Sequence, residues 1–226
     1  MIKIENTDVV GWEHAIRGMR NPMNSWDKSD SGWIDYEDWD CGHGIPDGMG
    51  NAYVIGDNDL DLMTRLSKAG TDHRKFMRMI TVYLDITAPL YWWKEFDTYK
   101  VGTVANSCST MHKIHDKEFT LDDFSCEYLI DEDVIGGTEY LGRLKSVVND
   151  LNEARIEYLE TKDKKYWWQM IQLLPSSYNQ KRTVMLNYEV LKNMYHSRKN
   201  HKLDEWKVFC EWIEKLPYAK ELIYND

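Results

Sequence analysis

Apolar residues recur at intervals of three and four over several stretches of this chain, and this spacing predicts amphipathic helices. The longest stretch covers residues 139–162, and its apolar stripe consists of Tyr140, Leu144, Val147, Leu151, Ala154 and Tyr158. A stripe of this length is typical of a protein core or of a subunit interface. Shorter helices are predicted over residues 8–20, 59–68, 167–174, 203–216 and 218–223, with Asn58 or Asp59 as the cap of the second.

Alternating apolar positions predict a strand over residues 79–87. The side chains on its apolar face are Ile80, Val82, Leu84 and Ile86. Pro89 follows this strand and is suited to open a helix, because a proline in the first helical turn gives up no needed N–H donor.

Residues 173–206 are predicted to form a strand that runs into a helix. Since successive helical residues turn by about 100°, one helix face holds Asn187, Leu191, Met194 and Arg198. An apolar face with a guanidinium at one end suits an aromatic ring that bears a phosphate. The alternative is an ordinary amphipathic helix, in which a cation near the C-terminal end interacts favourably with the helix dipole.

Between about residues 24 and 52 the periodicity stops and the chain becomes rich in Trp, Asp and Gly, which predicts an irregular acidic loop. Part of this loop follows the spacing of a calcium-binding loop, with Asp27, Ser29, Ser31, Gly32, Asp35 and Asp38 at the expected positions. The last position is Asp where a bidentate Glu is usual, and two ligands are hydroxyls. An acidic solvated loop or a substrate lid is therefore favoured over a calcium site. Residues 119–137 are also predicted to be irregular and acidic, with one short strand.

Length and composition limit the classes of function. The 226 residues predict a single domain. The formal net charge of −10, from 38 acidic and 28 basic residues, argues against an extended nucleic-acid surface, although a few local cations suffice for a small anionic ligand. No apolar run has the length of a signal peptide or a membrane span, so a cytoplasmic protein is expected. The cysteines are scattered and predict free thiols, with neither a disulfide framework nor a metal site: Cys41, Cys108, Cys126 and Cys210.

The order of residues in the C-terminal half resembles the flavin-dependent thymidylate synthases. The matching elements are Leu174-Pro175, Thr183 in the strand, Asn187 at the helix start, Asn193, and Arg198 eleven residues after Asn187. In that family the two Asn positions serve FAD and the Arg binds the phosphate of dUMP. The chain departs from the family at Glu189 and Ile171, where the family has arginines. The resemblance implies an α/β (α+β) fold, with an antiparallel or mixed sheet packed against long helices.

The resemblance also covers the region from His73 to about His112, where the family carries the motif RHRxxSxNExSxRY. His73 falls on an active-site His, and one insertion aligns the rest: Lys94 on an Arg, Lys100 on the third motif residue, Thr103 on the first Ser, Asn106 on the Asn and Ser109 on the second Ser. Thr98 and Tyr99 replace the Arg-His pair, and no Glu follows Asn106. Each match has a structural alternative. His73 is then a cap or packing residue, the lysines are solvated helix ends, and Ser109 is an N-cap.

The resemblance implies reductive methylation of dUMP, with carbon from methylenetetrahydrofolate, a hydride from reduced FAD, and NADPH to reload the flavin. The implied roles are catalytic for His73 and Ser109, FAD binding for Lys94, Tyr99, Lys100, Thr103, Asn106, Asn187 and Asn193, and nucleotide binding for Arg198 and Ser109. Cys108 is expected to be a small buried residue and need not act as a nucleophile. The family also implies a homotetramer. The alternatives are a catalytically altered protein of this fold that binds a nucleotide or a protein, or a related pyrimidine-modifying enzyme.

Overall fold

The computed structural model of the chain describes residues 1–35, 44–46, 49–131 and 139–224. The strands in these ranges are β1 (Lys3–Val10), β2 (Gly32–Asp35), β3 (Gly44–Pro46), β4 (Asn51–Val54), β5 (Thr81–Pro89), β6 (Val104–Ser107) and β7 (Asn179–Asn187). The α-helices are α1 (Trp12–Arg20), α2 (Asp57–Lys68), α3 (Leu90–Phe96), α4 (Thr110–Lys113), α5 (Tyr140–Thr161), α6 (Lys164–Leu173), α7 (Tyr188–Arg198) and α8 (Asp204–Ile213). Short 3-10 turns cover Asn21–Met23, Trp26–Lys28, Arg74–Arg78 and Leu121–Asp123, and a π-helical turn covers Lys220–Tyr224.

The strands form two sheets. In spatial order, β1, β5, β7 and β6 form a four-stranded sheet, and β2, β4 and β3 form a three-stranded antiparallel sheet. Contacts divide the chain into two compact units: the first unit is Met1–Glu5, Asp85–Thr98 and Ala105–Thr183, and the second unit is Asn6–Leu84, Tyr99–Val104 and Val184–Asp226. This combination of sheets and helices confirms the predicted α/β (α+β) fold class.

An apolar cluster forms the core of the first unit. Its buried members are Ile114, Phe119, Phe124, Leu144, Val148, Leu151, Ala154 and Met170. The helix predicted over residues 139–162 is confirmed as α5, and three residues of its predicted stripe belong to this core. Burying such side chains stabilises a fold by about 1.5 to 3 kcal/mol each for the larger ones, so the stripe serves the core of the unit.

The prediction that residues 167–174 form a buried helix is wrong in two respects. The helix begins earlier, at Lys164, and Met170 is its buried residue. Trp168 and Leu173 are 41% and 44% exposed. Met170 and the partly buried Trp167 and Ile171 pack against the core of the first unit, whereas Trp168 and Leu173 lie outside that packed face.

The strand predicted over residues 79–87 is confirmed as β5, and the predicted face is buried along its whole length. Pro89 ends β5 and occupies the N-cap position of α3, one residue before the helix.

The closing helices are also found, as α8 and the π-helical turn, although both are shorter than predicted. None of the described helices is both long and apolar enough to cross a membrane.

The helix predicted from residue 8 starts later, because residues 8–10 belong to β1. Gly11 separates β1 from α1 and has a φ of 92°, in the region that favours glycine. A Cβ at Gly11 would lie 2.2 Å from the carbonyl oxygen of Met79. This close approach of two backbone segments ends the strand and sets the start of α1 at Trp12.

The prediction of an irregular loop over residues 24–52 is wrong where strands form, at 32–35, 44–46 and from residue 51, whereas residues 24–31 and 49–50 form no strand. β2, β3 and β4 pair there, with Trp33 opposite Tyr53. The two rings meet edge to face, with centroids 5.1 Å apart. Strands this short give little alternation, so the pairing depends on packing of aromatic side chains across strands.

The strand predicted within residues 119–137 is not formed in the described part, where a 3-10 turn and one antiparallel bridge, Phe124 to Tyr178, occur.

Two residues of the calcium pattern, Ser29 and Ser31, bind an anionic side chain. The hydroxyl groups of Ser29 and Ser31 each donate to the Asp59 carboxylate, at 2.7 Å, and Arg20 Nε donates to it at 2.6 Å. Gly32 and Asp35 belong to β2, and Asp38 lies outside the described residues. Burial would raise the pKa of Asp59, but the hydrogen bonds from both serines and the Arg20 guanidinium lower it.

Asp59 is consequently not a helix cap, and neither is Asn58. The helix begins at Asp57 with Gly56 at the N-cap position. The backbone N–H groups of Asn58 and Asp59 donate to the carboxylate of Asp30, at 3.0 and 3.1 Å. A side chain from a distant part of the sequence thus satisfies donors that a helix start leaves without partners.

Candidate functional site

β7 runs directly into α7, which carries several of the predicted site residues. Asn187 is the junction: its backbone is extended, and its side-chain oxygen accepts a hydrogen bond from the Val190 N–H at 3.1 Å. This is a standard N-cap arrangement. The predicted helix from Asn187 to Arg198 therefore forms, with Asn187 as its cap.

The interpretation of Leu191 and Met194 as ligand contacts is wrong. Both side chains are fully buried in the second unit. Lys192, on the same helix, is also buried and donates to the carbonyl oxygens of Leu222 and Ile223, at 3.3 and 3.2 Å. The middle of α7 is mainly a core element, and its candidate binding groups are Asn187 and Arg198 at the two ends and the exposed Asn193 between them.

Arg198 lies at the C-terminal end of α7 among aromatic rings. Its Nε donates to the Tyr99 hydroxyl at 2.9 Å. The guanidinium carbon is 4.8 Å from the centroid of the Trp206 ring and 5.6 Å from that of Tyr99. The sequence pattern included Tyr99 but missed Trp206, and no spacing in the sequence links residue 206 to a ligand site. These rings fix the direction of a guanidinium that is half-buried.

The segment 99–103 forms a turn next to the start of α7. The Thr103 hydroxyl donates to the carbonyl oxygen of Tyr99. Gly102 has a φ of 82°, and a Cβ there would lie 2.8 Å from the Asn187 amide nitrogen. Any side chain at position 102 would collide with Asn187, so only glycine allows the turn to approach Asn187 this closely. Lys100 is exposed on this turn.

His73 is exposed and precedes the 3-10 turn that faces the start of α7. Glu189 stands where the family has an arginine, and the structure shows what its negative charge binds. Arg74 and Arg78 both donate to the buried Glu189 carboxylate, and Arg74 also donates to Asn193 Oδ1 at 3.3 Å. Burial would raise the pKa of Glu189, but its hydrogen bonds and charge interaction with Arg78 and Arg74 lower it. No local pattern in the chain indicates these partners.

The remaining predicted site residues lie in the first unit. Lys94 is exposed on α3, and Asn106 is exposed in β6. The Ser109 hydroxyl accepts a hydrogen bond from the His112 N–H at 3.1 Å, as the N-cap of α4. Ser109 and Cys108 also border a cavity of about 470 Å³. The roles of Lys94, Asn106 and Ser109 toward a cofactor or nucleotide stay predictions.

The thiols differ in exposure. Cys108 is exposed, which corrects the expectation of a buried residue. Burial, with a contribution from Glu214, raises the pKa of the Cys210 thiol to about 11, so Cys210 is not a nucleophile. Burial also raises the pKa of Cys126. Cys41 lies outside the described residues, and the cysteines within them are free.

The second unit thus contains seven of the predicted residues: His73, Tyr99, Lys100, Thr103, Asn187, Asn193 and Arg198. Among these, the structure joins Tyr99 to Arg198 through a hydrogen bond and brings the 99–103 turn against Asn187. A second cavity, of about 510 Å³, lies elsewhere in this unit and is bordered by Lys215 and Tyr218, not by His73 or Arg198.

Solved structures of similar fold identify the architecture. A ThyX (thymidylate synthase X) structure from Helicobacter pylori with FAD and dUMP is 14% identical, with a TM-score of 0.66 over 100% of this chain and 98% of that chain. A second Helicobacter pylori ThyX complex with FAD and dUMP is 15% identical, with a TM-score of 0.67 over 99% and 98%. The UMP/dUMP methylase PolB from Streptomyces cacaoi, bound with 5-Br dUMP, is 14% identical, with a TM-score of 0.57 over 98% and 94%.

No protein-family model matches the sequence, and no characterised protein matches it at the level of sequence. At such low identity the structural likeness shows the fold alone. The motifs around His73, Asn187 and Arg198 predicted this likeness, and it is confirmed across nearly the whole chain. The chain therefore has the fold of the flavin-dependent thymidylate synthases.

Proposed function

We propose that this chain binds a pyrimidine nucleotide, dUMP, through Arg198 and binds FAD beside it, as a divergent protein of the flavin-dependent thymidylate synthase type. The observation that carries the proposal is the setting of Arg198 at the end of α7, where its guanidinium carbon lies 4.8 Å from the centroid of the Trp206 ring and its Nε donates to the Tyr99 hydroxyl. A guanidinium offers N–H donors to a phosphate. Trp206 is fully buried and holds Arg198 in place, whereas the half-buried ring of Tyr99 would contact a planar base. The same fold occurs in proteins solved with FAD and dUMP.

The donors around the start of α7 fit part of a flavin. The Asn187 amide nitrogen faces the space that a Cβ at Gly102 would fill, and amide groups pair with ring carbonyls and ring nitrogens. Asn193 and Lys100 are exposed, and a lysine is suited to the pyrophosphate. Tyr99 and Thr103 would support these donors, and His73 would border the ring.

The proposed reaction is reductive methylation of dUMP. When bound and reduced, FAD would supply the hydride, while methylenetetrahydrofolate provides the carbon and NADPH the reducing equivalents. The protein itself would bind and orient: Arg198 would hold the phosphate, and Asn187 would orient the flavin ring. Because the pKa of Cys210 is raised, its thiol stays protonated near neutral pH and is not assigned a role as a nucleophile.

Arg198→Ala tests the nucleotide site. We expect at least a hundredfold weaker dUMP binding by calorimetry, because a charge-assisted bidentate contact to phosphate is lost. The fold should persist, as judged by circular dichroism, since the helix end lies at the surface. Lys199→Ala removes the adjacent exposed cation and should leave dUMP affinity unchanged. Equal dUMP affinity in Arg198→Ala and the unmodified protein would refute the assigned role.

Purified protein tests the flavin site directly. A flavin absorbance band, together with FAD identified by mass spectrometry of the released small molecules, is the expected result. A colourless protein that does not take up added FAD would contradict FAD binding.

A second candidate function is nucleotide binding without turnover. The observation that favours it is the buried Glu189, whose charge is opposite to that of the family's arginine. The family motif begins with an Arg-His pair, and its replacement by Thr98 and Tyr99 also favours binding without turnover. Conversion of labelled dUMP in the presence of FAD, NADPH and methylenetetrahydrofolate distinguishes the two. Tight dUMP binding with no labelled product would favour the binding protein.

A further inference from the structure

An ion cluster joins the segment after His73 to the first turn of α7. We call it the Arg–Glu–Arg cluster; it consists of Arg74, Glu189 and Arg78. Glu189 is buried, and one of its carboxylate oxygens accepts from Arg74 Nε at 3.3 Å while the other accepts from Arg78 Nε. One guanidinium would neutralise one carboxylate, so the cluster keeps a positive charge.

Among the residues that the structure describes, both guanidinium groups retain donors without a hydrogen-bond partner. Arg78 contacts Glu189 through Nε, and its two terminal nitrogens donate to none of the residues that the structure describes. Its side chain is 54% exposed, so this edge faces solvent. Arg74 is 16% exposed and uses one terminal nitrogen for Asn193, which leaves the other. The terminal edge of a guanidinium presents two parallel N–H groups, the geometry that two phosphate oxygens accept.

A purely structural account explains only half of this arrangement. An acidic residue in the first turn of a helix interacts favourably with the helix dipole, and a buried carboxylate needs a cation. Arg74 alone, with its low exposure, meets that need. Arg78 is mostly in water, where an ion pair contributes little to stability, yet Glu189 holds it in a fixed direction beside Arg74.

We propose that Arg74 and Arg78 form a phosphate-binding pair, with Glu189 as the positioning residue that holds both guanidinium groups. In the family an arginine stands at the position of Glu189. Here Arg74 and Arg78, in the segment that follows His73, supply positive charge instead. This inference rests on the proposed function, because the phosphate belongs to a bound nucleotide. Its source is either dUMP or the pyrophosphate of FAD, and the test separates them.

Arg78→Ala in the full chain is the main variant, because an exposed side chain can be removed without loss of the fold. Calorimetry with dUMP, FAD and inorganic pyrophosphate as separate probes measures the effect. We expect pyrophosphate, and whichever nucleotide the pair binds, to bind about ten- to a hundredfold more weakly, as for the loss of one charged bidentate contact. Arg78→Lys keeps the charge without the planar edge and should recover part of the affinity.

Arg65→Ala is the matched control. Arg65 is also an exposed arginine paired with a carboxylate, but its partner, Asp61, lies on its own helix α2 and not on α7. Its removal should leave all three affinities unchanged. Glu189→Gln tests the positioning role: it should weaken pyrophosphate binding by the folded protein although both cations remain, and Glu189→Asp should recover part of it. A structural role alone would lower the melting temperature and leave affinity as it was.

The outcomes separate this inference from the proposed function. If the unmodified protein binds dUMP or FAD and Arg78→Ala binds every probe equally well, the phosphate pair is wrong and the function stands. If the unmodified protein binds pyrophosphate alone and Arg78→Ala loses it, the two arginines bind phosphate, but the proposed function fails, and with it the nucleotide as the source of that phosphate. If the unmodified protein binds none of the three probes, both fail.

Discussion

Asp59 and Arg20 form an ion pair whose side chains are 0% and 4% exposed. The cost of removing both charges from water is offset by the hydrogen bonds that Ser29 and Ser31 donate to the carboxylate. The pair connects α1 and α2 within the second unit. Removing the Asp59 charge would leave the Arg20 guanidinium buried without its carboxylate, which destabilises the fold.

We expect Asp59→Asn to lower the free energy of unfolding by about 3 to 5 kcal/mol at pH 7, as when one partner of a buried pair is removed. The folded-state pKa of Asp59 is lowered, so its contribution is present above the unfolded value of about 3.9 and is lost as the pH falls through the folded pKa. Urea unfolding of both proteins between neutral and acidic pH measures this. Asp61→Asn, an exposed carboxylate on the same helix, should change stability little. Equal stability of Asp59→Asn and the unmodified protein at pH 7 would contradict the prediction.

Gly102 and Gly70 form a matched pair of glycines with positive φ, 82° and 102°. A Cβ at Gly102 would press on the Asn187 amide, whereas a Cβ at Gly70 meets nothing within 4 Å. We expect Gly70→Ala to cost about 1 kcal/mol from its backbone conformation alone. Gly102→Ala should cost about 1 kcal/mol more, through the disturbed cap, and should also weaken FAD binding. Thermal unfolding and flavin titration measure the two effects, and identical losses in both variants would show that the close approach is unimportant.

α7 illustrates how one helix serves both the core and a site. Its central residues, Leu191 and Met194, are buried, while Asn187 and Arg198 stand at the two ends. A helical repeat in the sequence shows which residues share a face, but it does not show whether a ligand or the core covers that face. The predicted helix was correct for this reason, and the predicted ligand contacts in its middle were wrong.

The three-stranded sheet shows a different limit. β3 and β4 have three and four residues, too few for a periodic signal. Their pairing buries Ala52 and Tyr53, and that burial comes only from contact with other segments. Long elements such as α5 were predictable because their own sequence repeats often enough to fix a buried face.

Large apolar side chains remain exposed in the first unit, and the resemblance implies a homotetramer. The exposed residues on and near the long helices are Tyr140, Ile156, Trp168 and Leu173. We expect light scattering at micromolar concentration to give the mass of an oligomer, because association would remove this surface from water. Trp168→Ser should shift the population toward smaller species, whereas Val101→Ser, at a residue 91% exposed in the second unit, should not. A monomer at all concentrations would contradict the prediction.

The acidic net charge of the whole chain makes local cations decisive for any anionic ligand. Positive charge near α7 includes Arg198 and Lys199 at one end and the Arg–Glu–Arg cluster at the other. Composition excluded an extended basic surface but did not locate these groups. Their placement depends on folding, since neither arginine of the cluster is close to Glu189 in sequence.

The sequence by itself determined the long helix α5, the buried face of β5, the junction at Asn187 and the order of motifs that matches the synthase fold. These features depend on residues near one another in the chain, where periodicity and capping act. Tertiary structure alone decided which charges meet: Arg78 and Arg74 reach Glu189 across 111 and 115 residues, and Asp59 takes its donors from a segment that resembled a cation site. The physical reason is that a buried charge takes its partner from whatever the fold brings within about 3 Å, and no local pattern encodes that choice.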